Sequence, residues 1–266
     1  MDWWHLIDTS KVVVYVLVLT RISGLMIMAP VLHSTDAPVQ YRALLAFAFT
    51  LTMMPSQWFV QVVEPDSLPA FVVMIAAELF IGLAMGLGFY ILFTGVSLAG
   101  ELVGHVGGLQ ASQIFDPVTG DQVPLMSRAY QYLAITVFAL IGGLNVLVTS
   151  LLDTFATIPI GTIGFQPHVA YSLMTILSMS FNLALRIAAP VLVATLISMF
   201  VMGLLGKTLP QLNLMSVGFG INSMVMFVVF CFTLGTGMWM FQEQIGGVFE
   251  ILFAGLHMTM DDGLLP

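Results

Sequence analysis

A chain of 266 residues that is 59% hydrophobic and 8% charged, with a mean hydropathy of +1.03, falls outside soluble globular composition and inside the membrane class. Its six Lys and Arg never cluster, which excludes a nucleic-acid surface, and its 14 acidic groups, which leave a net charge of -8, are spread thinly and form no acidic tract. One cysteine, Cys231, excludes an internal disulfide and reads as a small buried hydrophobe in MFVVFCFTLG.

The chain opens with MDWWHLIDTSK, which lacks a basic region and precedes an apolar stretch too long for a signal peptide, so none is expected. Apolar runs then fall at about residues 12–32, 43–63, 69–99, 129–152, 169–206 and 214–256, each long enough for a membrane helix. Six helical segments are therefore expected. HSTDAPVQ, EPDSLP, PIGTIGFQP and GKTLPQLN supply turn chemistry between them. Trp3, Trp4 and Trp58 stand at run ends, where indole rings anchor at the membrane interface. The last two runs exceed a bilayer's thickness and must tilt, kink or extend beyond it, and Pro190 marks a kink.

Three charges lie inside apolar runs: Arg21, Glu78 and Arg186. A charge facing lipid costs several kcal/mol, so each should face protein or water. Two readings compete, a proton or ion relay and a buried pairing such as Arg21 with Glu78. Glu78, Gly82 and Gly86 are spaced by four, which sets the carboxylate above two gaps on one packing face. Pro190 cannot bond back to the carbonyl of Arg186, which weakens that helix.

The third run leads into GELVGHVGGLQASQIFDPVTGDQVP, residues 100–124, the polar, glycine-rich exception in the chain. Gly100, Gly104 and Gly108 bare one helix face to another backbone. Gly107-Gly108 and Asp116-Pro117 then stop the helix. Irregular backbone at membrane depth survives only inside protein or beside a water-filled cavity, so this is a loop lining a passage, or else an ordinary surface loop. Glu101 and His105 stand one turn apart and could share a proton, but two groups make no metal site. His5, His33, His105, His168 and His257 have no ligand spacing. Gly206-Lys207-Thr208 resembles the end of a phosphate-binding loop, yet Val201 occupies the place of the required glycine and a helix that of the strand. No catalytic grouping is legible, and neither enzyme activity nor a cofactor is expected.

Positive charge alternates in a biased way. Arg42, Arg128 and Lys207 fall on one side and Lys11 on the other, which puts the loops 33–42, 100–128 and 207–213 in the cytoplasm and both termini outside.

Several strings, in order, resemble the FliR family, the R subunit of the flagellar export gate, called SctT in virulence type III secretion: RISGLMIMAPVL, VQYRALLAFAFTLTMMP, ELFIGLAMGLGF, AGELVGHVGGLQASQIFDPVTG, SLLDTFATIPIG and APVLVATLISMFVMGLLGKTLPQLNLMSVGFGI. Leu144 and Gly220 depart from the family's common wording. The resemblance implies an all-α, membrane-associated structural subunit of the bacterial inner membrane and flagellar basal body. Residues 1–165 would form a part like the P subunit and 166–266 a hairpin like the Q subunit. It implies a pore-forming gate for unfolded flagellar proteins, largely raised out of the bilayer and built with P and Q (FliP and FliQ) subunits. An FlhB-family switch protein and an FlhA-family export component would attend it. By position, Leu109, Gln110, Ala111, Ser112, Gln113, Ile114 and Phe115 would plug the pore, with Gly107 and Gly108 as hinge and Asp116-Pro117 fixing the far end. Lys207, Pro210, Gln211 and Asn213 would form a cytoplasmic turn facing the switch protein. A virulence-type gate and a small-molecule or ion transporter are the alternatives.

Overall fold

The computed structural model describes residues 9–29, 38–57, 67–108, 124–161, 167–208 and 214–257, and among them every regular element is a helix. These are α1 (Thr9–Met28), α2 (Val39–Gln57), α3 (Leu68–Val106), α4 (Leu125–Leu140), α5 (Gly143–Thr157), α6 (Pro167–Thr208) and α7 (Leu214–His257). At 1.5 Å per residue α3, α6 and α7 run about 58 to 66 Å, roughly twice a hydrocarbon core. Four helices, α1, α3, α6 and α7, are long and apolar enough to cross a membrane, or five spans if α4 and α5 together make a broken one. The chain is an all-α membrane protein.

One expectation changes. The fourth apolar run is two helices, because Gly142 adopts φ 76° and turns the chain out of the helix; the Gly142-Gly143 pair was the overlooked signal. The second run, 43–63, extends beyond the described residues, and the part that α2 carries is not by itself a candidate span. Local chemistry sets other helix ends. Ser67 Oγ accepts from the Ala70 amide at 3.4 Å at the start of α3. Pro167 opens α6, at a first helical position where a missing amide costs no intrahelical bond.

The chain divides into two compact units, each drawing on both sequence halves. The first comprises residues 1–91, 142–176 and 248–266. In it α1 packs on α2, and Leu17, Ile22, Met85, Phe89 and Leu151 are fully buried. The Phe89 and Phe249 rings lie 4.6 Å apart, and Ser172 Oγ donates to the Ile251 carbonyl at 2.9 Å. The second comprises residues 92–141 and 177–247. Its core is aromatic: Phe93 meets Phe138 and Phe241 edge-on at 5.4 and 5.1 Å, and Tyr130 meets Phe230 at 5.0 Å. Cys231, expected to be buried, is exposed on α7 beside Phe232, because the buried face of α7 there runs through Met226, Phe230 and Met238.

Candidate functional site

In the first unit, one face of α3 carries Glu78, Gly82 and Gly86 against α1. A Cβ on Gly24 would lie 2.8 Å from the Leu79 carbonyl oxygen, and one on Gly82 would fall on the carbonyl of Arg21. One on Gly86 would lie 2.7 Å from Met28 Cβ. Only glycines allow helices this close. The approach lets Arg21, fully buried, point Nε at Glu78 Oε2 at 2.5 Å, with Glu78 only 1% exposed.

The guanidinium then does more than pair. Nη1 donates to the carbonyls of Thr154 and Ile158 at 3.1 and 3.2 Å, and Nη2 to Ile158 at 3.3 Å. Its Cζ lies 4.4 Å from the centre of the Phe155 ring. Glu78 Oε1 accepts from the Gly161 amide at 2.9 Å. The Thr154 carbonyl also accepts from the Ile158 amide at 2.8 Å, but the carbonyl of Ile158, the residue that caps α5, lies where a helix leaves carbonyls without intrahelical donors, and there a buried cation supplies one while its carboxylate holds the turn beyond. Arg21 and Glu78 thus clamp the end of α5 and the bend that follows it to α1 and α3.

Arg186 does not join this set. It is exposed on α6, because the buried stripe runs through Leu183, Ala184, Ile187, Ala188 and Val191 and leaves it outside. It lines a polar cavity of about 240 Å³ with Ser178, Asn182, Met240, Glu243 and Gln244.

In the second unit the end of α3 is held from α7. Asn222 Nδ2 donates to the Val106 carbonyl at 3.0 Å and Ser223 Oγ to that of Gly107 at 3.4 Å. Sequence reasoning missed both, since a lone Asn-Ser in an apolar run gives no hint of its target. Gly108 takes φ 81°, and a Cβ on Gly107 would strike Met226 Sδ. Of the expected packing glycines, Gly100 lies against backbone, where a Cβ would be 2.5 Å from the Met126 carbonyl oxygen, while one on Gly104 would make ordinary contact at 3.6 Å. Glu101 and His105 approach to 3.7 Å, each about half exposed.

The plug residues Leu109, Gln110, Ala111, Ser112, Gln113, Ile114 and Phe115, the turn Asp116-Pro117, and Pro210, Gln211 and Asn213 lie outside the described residues. Lys207 is exposed in the last turn of α6. Among the described residues no three His, Cys, Asp or Glu side chains gather as a metal site.

Fold and clamp define a class: a helical membrane protein whose intramembrane charges serve to fasten helix ends. The sequence profile described as bacterial export proteins, family 1, matches residues 12–248, and the chain belongs to that family, the FliR/SctT family. It is 28% identical over 205 residues to the flagellar biosynthetic protein FliR of Escherichia coli, covering 76% of each chain. To FliR of Bacillus subtilis it is 25% identical over 222 residues, 81% of this chain and 83% of the relative. It is also similar to the surface presentation of antigens protein SpaR of Shigella sonnei, at 23% over 155 residues, 58% and 59% of the two chains.

Proposed function

We propose that this chain is the structural, pore-forming R-type subunit of a flagellar type III protein export gate, without catalysis of its own, in the bacterial inner membrane at the flagellar basal body. Unfolded flagellar proteins would cross through the gate while the flagellum is built. The observation that carries this reading is the family match over residues 12–248, joined to relatives named flagellar biosynthetic protein.

Exposed apolar side chains support an assembled role. Phe232, at 84% exposure, Leu140 and Phe200 stand uncovered on this chain, as an apolar surface does when partners cover it. The partners in this reading are P and Q subunits (FliP and FliQ families), an FlhB-family switch protein and an FlhA-family component. The P-like part is residues 1–165 and the Q-like hairpin 166–266. Lys207 turns toward the cytoplasm, in keeping with the charge bias that puts both termini outside. Residues 109–115 plug the pore between the Gly107-Gly108 hinge and Asp116-Pro117. The α3 end beside that hinge is held by Asn222 and Ser223, which gives the plug a fixed root.

Similarity to SpaR favours a virulence-type gate as the second reading. Co-expression with the neighbouring open reading frames, followed by mass spectrometry of the intact complex, tests the gate. One copy of this chain with several copies of two small hydrophobic proteins is expected, whereas a lone or homo-oligomeric species would sink the reading in favour of a transporter. Loss of motility on deleting the gene, without loss of virulence secretion, separates the two gates.

A further inference from the structure

α6 and α7 leave most of their surface uncovered. They run about 63 and 66 Å, so a hydrocarbon core of about 30 Å covers only about half of either, wherever it lies along them. Within their most apolar stretches only 22% and 17% of the residues are buried by this chain itself. Other protein must cover the rest.

One place on this surface is charged. Ser178, Asn182 and Arg186, spaced by four on α6, line a cavity of about 240 Å³ with Met240, Glu243 and Gln244 of α7. Among the described residues neither the Arg186 nor the Glu243 side chain has a hydrogen-bond or ion-pair partner, whereas Arg21 and Glu78 have each other. Lipid does not suit this place, because charge facing hydrocarbon is costly. Water does not suit its flanks, where Phe181, Leu185 and Trp239 stand about half exposed. Protein covers both kinds of surface, but a charge buried by a partner must then meet its opposite. The cavity has room for the ends of side chains and not merely for one water.

The glycines of α7 point to the same face. Gly235, Trp239, Glu243 and Gly246 follow one another at spacings of four, four and three, which keeps them on one side of the helix. A Cβ on Gly235 or Gly246 would meet nothing within 4 Å, so no contact of this chain requires these poor helix formers. They leave gaps on either side of Trp239 and Glu243, where a neighbouring helix can approach closely. We infer that a helix of a neighbouring gate subunit docks over this cavity, setting a carboxylate against Arg186 and a basic side chain against Glu243. The docking presupposes the gate reading above and gives it a surface and a chemistry of recognition.

The complex that the full chain forms on co-expression with the neighbouring open reading frames provides the test. A photo-cross-linking amino acid in place of Asn182 should attach to a neighbouring subunit beside an acidic residue. Arg186→Glu should lower recovery of that subunit about tenfold or more and Arg186→Lys far less, because like charges repel across an interface. Glu243→Arg should act as Arg186→Glu does. Both side chains are exposed and unpaired within this chain, so the variants should accumulate in membranes as the intact chain does. Should Arg186→Glu accumulate poorly, Arg186→Gln removes the charge without reversing it and should still lower recovery. In the double variant Arg186→Glu with Glu243→Arg, the two residues still attract each other but both repel the neighbour, so recovery should stay low. Recovery restored there would mean that the two residues pair within this chain, and would overturn the docking. Recovery unchanged by Arg186→Glu in an intact complex would overturn it as well, whatever the cross-link. A chain that purifies alone before any substitution would instead sink the gate reading, and the docking with it.

Discussion

Arg21 and Glu78, 57 positions apart, share one buried ion pair whose outer atoms hold three backbone groups of a third segment: the carbonyls of Thr154 and Ile158 and the amide of Gly161. Because the pair is also a helix cap, its two ends are not equivalent to a simple charge swap.

Breaking it from one side should be costly. Glu78→Ala leaves a buried guanidinium without its counter-charge, and a loss of about 3–5 kcal/mol is expected, whereas Arg21→Met with Glu78→Met should lose less than the sum of the single changes. The comparison is read from denaturant or thermal unfolding of the purified chain in detergent. A double variant no better than the worse single one would show that the carbonyl bonds of Arg21, not its charge balance, dominate.

The glycine faces give a graded series. Gly82→Ala drives a Cβ onto the Arg21 carbonyl and Gly100→Ala one onto that of Met126, so each should lower stability by roughly 1–3 kcal/mol, the usual range for overpacking. Gly104→Ala meets only ordinary contact and gains helix propensity, so it should be neutral or stabilising by up to about 1 kcal/mol. Accumulation of each variant in membranes and its melting temperature rank the three.

Gly142 separates α4 from α5 by conformation alone, since a Cβ there would meet just Asn145 Nδ2 at 3.8 Å. Gly142→Ala should cost about 1–2 kcal/mol for its left-handed φ, and Gly142→Asn less, because asparagine enters that region more readily. Equal melting temperatures for the two variants would count against a backbone-strain origin.

Asn222→Ala removes a donor from the end of α3 and strands the Val106 carbonyl, with an expected loss of about 1–3 kcal/mol. If this bond roots the segment that follows, hydrogen exchange should quicken at residues 103–108 more than in α1. Uniform quickening would assign it a general packing role.

Deleting residues 109–115 should raise ion leakage through the assembled gate in reconstituted vesicles. Leakage equal to that of the intact chain would remove the plug from the proposal.

The sequence by itself determined the class of this protein. Uncharged runs of bilayer length and longer force helices, because a backbone in hydrocarbon must bond within itself, and the ordered strings from RISGLMIMAPVL to the GLL-to-PQLN stretch carry the family. The spacing of Glu78, Gly82 and Gly86 already named a packing face, and Arg21 with Glu78 was legible as a candidate pair because isolated charges in apolar runs have few possible partners. Tertiary structure alone decided what those groups hold. That Arg21 caps α5, that Asn222 caps α3 and that Arg186 stands outside to line a polar cavity with Glu243 depend on contacts between distant segments. Apolar periodicity is weak in helices that are hydrophobic nearly all round, so the sequence does not say which face is covered; packing does.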